Sequence, residues 1–117
     1  MFLSEQPYTP PAWAAGVLTA VPQTRIVLAN VPTPIHPLHI PCFTRAGFEL
    51  FVKRDDFTGS SELGGNKVRK LEFLLADAKR QGADCVVTIG GQQSNHCRAT
   101  AAACRMVGLE CFCTSKK

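Results

Sequence analysis

The apolar residues change their period along the chain, and the changes divide it. Val68, Leu71, Leu75 and Ala78 fall three or four apart. That is the spacing of one helix face, so a helix is predicted over about 67–81 with this face inward. Gly82 stands just after it, where a residue free to take a left-handed backbone closes a helix. Cys85-Val86-Val87-Thr88-Ile89 is short, β-branched and continuously apolar. Such a run predicts a strand covered on both faces, as in a parallel sheet. A second helix is predicted over about 95–107, ending at Gly108, with Ser94 or Asn95 as its cap. The stretch 109–113 begins a further strand. Upstream, 48–53 alternates well enough for a strand, and 54–61 is a polar loop. Strand, helix, strand, helix, strand predicts an α/β fold, an open and mostly parallel sheet with flanking helices.

All eight prolines lie between Pro7 and Pro41. Proline fixes its own backbone and removes a donor, so long regular elements are not expected there. Residues 1–46 are read as a Pro-rich extended arm lying along the body. Trp13, Val27 and Leu28 are its expected anchors. A partly unfolded tail is the alternative. Residues 47–117 form the α/β domain.

The chain has 117 residues, 45% of them hydrophobic and 19% charged, enough for one core of modest size. Its net charge of +4 is dispersed. No basic stripe is interleaved with aromatics, so no nucleic-acid partner is expected. No apolar run approaches membrane-spanning length, and no secretory leader is visible at the start. The expected location is intracellular: cytoplasmic, with the mitochondrion as an alternative. Six cysteines are present. Cys85, Cys97 and Cys104 fall in apolar strand-like or helix-like runs, where a free thiol acts as a small hydrophobe. Cys111-x-Cys113 has no histidine at a partner spacing, so no metal site is expected.

The candidate chemistry begins at Gly64-Gly65-Asn66-Lys67. A glycine turn delivers a lysine to a helix start, where the helix dipole disfavours another cation. If water is excluded there, the free amine gains on the ammonium, and a free amine attacks carbonyls. The plainer reading is a solvated surface lysine. The predicted topology brings Lys67 near the loop 90–96, which leaves the carboxyl end of the next strand, where ligands gather in such sheets. A helix start beyond that loop attracts an anion, and Ser94 and Asn95 stand at it. Here too a plainer reading exists, a loop with Ser94 as an N-cap. His96 is either a pocket residue or a first-turn side chain.

Two long motifs now stand at a defined separation. They are Gly64-Gly65-Asn66-Lys67-Val68-Arg69-Lys70-Leu71-Glu72 and Thr88-Ile89-Gly90-Gly91-Gln92-Gln93-Ser94-Asn95-His96-Cys97-Arg98. Together with Pro32-Thr33-Pro34-Ile35-His36 and Val52-Lys53-Arg54-Asp55-Asp56-Phe57-Thr58-Gly59, they resemble the D-cysteine desulfhydrase and 1-aminocyclopropane-1-carboxylate deaminase family. These are pyridoxal-phosphate enzymes of the tryptophan-synthase-β fold group. The resemblance runs from about residue 10 to 109, and Ser94-Asn95-His96 resembles the desulfhydrase branch.

The resemblance implies a lyase of amino-acid catabolism with pyridoxal 5'-phosphate as cofactor. Lys67 matches the lysine that forms a Schiff base with the cofactor and later serves as the base. Ser94 matches the serine beside the substrate, and Asn95 the asparagine on the cofactor's ring oxygen. Asn66 and Gln93 neighbour the pocket. Arg69 and Lys70 are read as solvated or sheet-edge charges. The implied reaction is β-elimination of D-cysteine to pyruvate, sulfide and ammonia. The rival is 1-aminocyclopropane-1-carboxylate deamination. Full-length relatives are implied to be homodimers acting on a small amino acid. They are nearly three times as long, so 47–117 is a partial cofactor-binding domain. A truncated fragment is expected to leave a sheet face bare and to be inactive alone, or to act only by binding.

Overall fold

A computed structural model describes residues 3–115. The predicted domain's last two residues, Lys116 and Lys117, lie outside them.

The two predicted helices form almost where the apolar spacing put them. Helix α2, Val68–Arg80, buries Val68, Leu71 and Leu75, while Ala78 packs at the edge of the core. It ends at Gly82, whose φ of +75° is the left-handed backbone that stops a helix. Helix α3, Asn95–Val107, ends in the same way at Gly108, φ +78°. It buries Ala99, Ala103, Cys104 and Val107. Small residues on that face let α3 approach α2 closely, and each fully buried Leu or Val contributes about 1.5–3 kcal/mol.

Strands β5, Cys85–Ile89, and β6, Glu110–Thr114, pair in parallel across α3, with Cys85 opposite Glu110 and Ile89 opposite Thr114. This is the α/β unit that the alternation predicts. One expectation fails within it. Val87 and Ile89 are exposed, Val87 by 68%, and so is Phe112. The continuous apolar run of β5 is covered on one face only, by the helices. An apolar run records the chemistry of both faces but not whether anything stands opposite them.

The arm is more structured than its prolines predict. Strand β1, Glu5–Pro7, pairs antiparallel with β2, Thr24–Ile26. Strand β3, Ile35–Leu38, is followed by a short helix α1, Pro41–Arg45, and pairs antiparallel with β4, Leu50–Lys53. So β4 joins the arm and not the parallel pair. Pro37 sits within this edge ladder, which proline tolerates on an edge strand.

Two of the expected anchors do not anchor. Trp13 is 68% exposed, and Val27 also faces out. Leu28 is buried as expected, beside Ile26 and Ala29. Tyr8 adds an edge-on contact with Phe73 of α2, ring centres 4.8 Å apart.

Candidate cofactor site

Lys67 stands at the N-terminal boundary of α2. Its carbonyl accepts the N–H groups of Lys70 at 3.1 Å and Leu71 at 3.2 Å. Its Nζ donates to Asn66 Oδ1 at 2.9 Å. Behind it, Gly65 takes φ +104°, a conformation that side chains resist.

A buried hydroxyl holds that turn. Thr58 is wholly buried, and its Oγ1 accepts the Gly65 N–H at 3.0 Å. The same oxygen lies 2.8 Å from the carbonyls of Asp55 and Gly65. Its single proton serves one of them at a time. The Gly65 N–H also reaches the Asp55 carbonyl, at 2.9 Å.

A second buried polar group fixes the helix to the arm. Glu72, 3% exposed, accepts the N–H groups of Leu28 at 2.8 Å and Ala29 at 2.9 Å on Oε1. Arg25 Nη1 stands 3.2 Å from Oε2. A buried carboxylate is tolerated only when charge and lone pairs are met in this way.

Arg69 is not a free surface charge. Its Nη2 donates to Asp55 Oδ1 at 2.9 Å and lies 3.3 Å from Thr33 Oγ1. The Arg69 guanidinium holds the Asp55 carboxyl below the usual carboxylate range. Arg54 does the same for Asp56 while its guanidinium stacks 3.8 Å from the Phe57 ring centre. Hydrogen bonds from Ser60 and Ser61 lower Glu62 to about 2.

The second motif meets the first through Asn95. Its Nδ2 makes a long contact of 3.5 Å with the Gly64 carbonyl. Arg98, one turn on, donates to Asn95 Oδ1 at 2.5 Å. With Oδ1 accepting, the amide turns its NH₂ toward the glycine turn. Ser94 is the N-cap of α3, its Oγ accepting the Cys97 N–H at 3.2 Å. That leaves its own O–H proton free to donate. A methyl at Gly90 would stand 2.5 Å from Ser94 Oγ, so only glycine admits this cap.

A cavity of about 410 Å³ opens between these elements, lined by Asp55, Asp56, Ser60, Gly65, Asn95 and Arg98 among others. Of the predicted site residues, Asn95 lines it. Lys67, Asn66, Gln93 and Ser94 stand outside its lining. Asn66 and Gln93 are exposed. His96 lines an apolar groove with Leu74 and Thr100, which fits the first-turn reading. A cleft of about 380 Å³ between the arm and the outer side of α2 carries Asp77 and Arg80, which pair with each other. Among the described residues no three His, Cys, Asp or Glu side chains converge as a metal site.

Residues 26–117 match the family described as pyridoxal-phosphate dependent enzymes. The chain belongs to that family. It is 56% identical over 108 residues to the bifunctional D-cysteine desulfhydrase/1-aminocyclopropane-1-carboxylate deaminase, mitochondrial, of Arabidopsis thaliana. That match takes in 92% of this chain and 26% of the relative. A crystal structure of an ACC deaminase homologue superposes with a TM-score of 0.72 at 42% identity, over 90% of this chain and 31% of that one. The chain therefore spans about a quarter to a third of the length of these relatives. The family's cofactor is pyridoxal phosphate, and the groups present suit it chemically. Lys67 offers a primary amine for the aldehyde, Asn95 an oriented amide, and Gly65 leaves the space into which that amide fits.

Proposed function

We propose that the protein containing this chain is a D-cysteine desulfhydrase, with 1-aminocyclopropane-1-carboxylate deamination as the second reading. The observation that supports it is the contact of Asn95 with the turn that leads into Lys67. The Arabidopsis relative is named for both activities, and the solved homologue for ACC deaminase alone. We assign Lys67 and Ser94 catalytic roles, and Lys67, Asn95, Asn66 and Gln93 to cofactor binding.

Bound pyridoxal phosphate supplies an electron sink for the substrate's α-carbon. The chain's own residues supply attachment and proton movement. The Lys67 amine holds the cofactor and, once free, takes the proton from Cα. Asn66 Oδ1, bonded to Nζ, steers that amine. Asn95 orients the ring, with Arg98 fixing its amide. The free O–H of Ser94 donates to the substrate carboxylate. D-Cysteine plus water then yields pyruvate, hydrogen sulfide and ammonia.

The division into an arm, 1–46, and a partial cofactor-binding domain, 47–117, belongs to the same proposal. The Glu72 bonds to Leu28 and Ala29 support an arm fastened along the domain. We further propose an intracellular, mitochondrial location, by analogy with the Arabidopsis relative, and a homodimeric full-length protein. No helix among the described residues is long and apolar enough to cross a membrane.

The test supplies the purified protein with pyridoxal phosphate and each substrate in turn. Sulfide and pyruvate from D-cysteine support the first reading. 2-Oxobutanoate from the cyclopropane acid, with no sulfide from D-cysteine, supports the second. Cofactor binding with neither product supports a fragment that only binds.

A further inference from the structure

Four of the six cysteines gather where α3 lies against β6. Cys111 and Cys113 are two apart on β6, so they point to the same face. Phe112 between them points to the bare one. The two Sγ atoms are 3.8 Å apart. Cys113 Sγ also reaches the carbonyl of Cys97, in the first turn of α3, at 3.9 Å. Cys104 lies wholly buried beneath, and desolvation raises the thiols of Cys104, Cys111 and Cys113 alike. Cys113 is exposed and Cys111 half-buried.

Strand positions two apart hold their Cα atoms about 6.6–6.8 Å apart, at the outer limit of disulfide reach. With the sulfurs already 3.8 Å apart, closing the bridge bends the end of β6 as well as turning the two side chains.

We propose that Cys111 and Cys113 are a redox-active dithiol, oxidised by a low-molecular-weight disulfide to an intramolecular bridge. The exposed Cys113 thiolate attacks one sulfur of the small disulfide. That S–S bond breaks, a mixed disulfide forms, and one small thiol leaves. The Cys111 thiolate then attacks the Cys113 sulfur and expels the second small thiol. Two protein thiols are oxidised, the small disulfide is reduced to two thiols, and the protons lost by the cysteines end on the thiols released. Cys104, wholly buried, is closed to the small disulfide and stays outside the exchange.

The test treats the reduced 117-residue chain with oxidised glutathione, alkylates the remaining thiols, and cleaves after Phe112. The expected product is a pair of peptides joined through Cys111 and Cys113, with no glutathione retained. The Cys97→Ser variant is expected to bridge as well as the wild type. The Cys113→Ser variant is expected to lose the bridge while its circular dichroism is unchanged. A stable glutathione adduct on wild-type Cys113, a dominant Cys97–Cys113 bridge, or no loss of free thiol would each overturn the proposal.

Discussion

Asn95 lies so close over Gly65 that a methyl added at Gly65 would stand 2.9 Å from its Nδ2. The two residues stand thirty apart in the sequence, and Asn95 Nδ2 also reaches the carbonyl of Gly64. Gly65→Ala meets both the amide and a φ of +104°. The strained backbone alone costs about 1–3 kcal/mol. The variant is expected to melt earlier by circular dichroism and to retain less cofactor on gel filtration. An unchanged melting curve with unchanged retention would show that the contact does not matter.

Glu72 joins the helix carrying Lys67 to the arm. Glu72→Ala leaves the Leu28 and Ala29 N–H groups without an acceptor. It is expected to cost about 2–4 kcal/mol in urea unfolding, the penalty for stranded buried donors. Glu72→Gln keeps the oxygen that accepts from Leu28 and Ala29 but sets an NH₂ donor before the half-exposed Arg25, so the ion pair and its hydrogen bond are lost. It is expected to cost about 1 kcal/mol. Equal losses in the two variants would place the clamp in the charge pair instead of the backbone bonds.

The Asp55–Arg69 pair sets a pH dependence of known sign. Arg69 lowers the folded pKa of Asp55 below its unfolded value. The pair's stabilisation is therefore complete above the unfolded pKa, near about 4. It is lost as pH falls through the folded value. Wild type is expected to exceed Arg69→Met in urea midpoint at neutral pH, and the gap is expected to close in acid. A gap that persists after Asp55 is protonated would mean that Arg69 acts through packing alone.

The helices and β5 were legible because their signals are local. The spacing of Val68, Leu71 and Leu75 and the stops at Gly82 and Gly108 sit within each element. The Ser94 cap was legible for the same reason. Pairing partners were not. Alternation marks 48–53 as a strand, but its partner β3 lies across α1, and nothing in either run names the other. Trp13 stands exposed where its bulk suggests an anchor, because bulk alone does not say what lies beneath a side chain. Thr58, Glu72 and Arg98 stood inside the quoted motifs with no role assigned. Each acts across a non-local contact: on the Gly65 turn, on the arm, or on the cavity through Asn95. Only Arg98, three residues after Asn95 on one helix face, carried a local hint.

Lys67 is proposed as the amine that holds pyridoxal phosphate. Its most direct test adds the cofactor to the folded protein, reduces with borohydride, and maps the labelled peptide by mass spectrometry. One phosphopyridoxyl group is expected on Lys67, absent in Lys67→Ala. A folded sample with no label on Lys67, or with label spread over surface lysines such as Lys70 and Lys79, would contradict it.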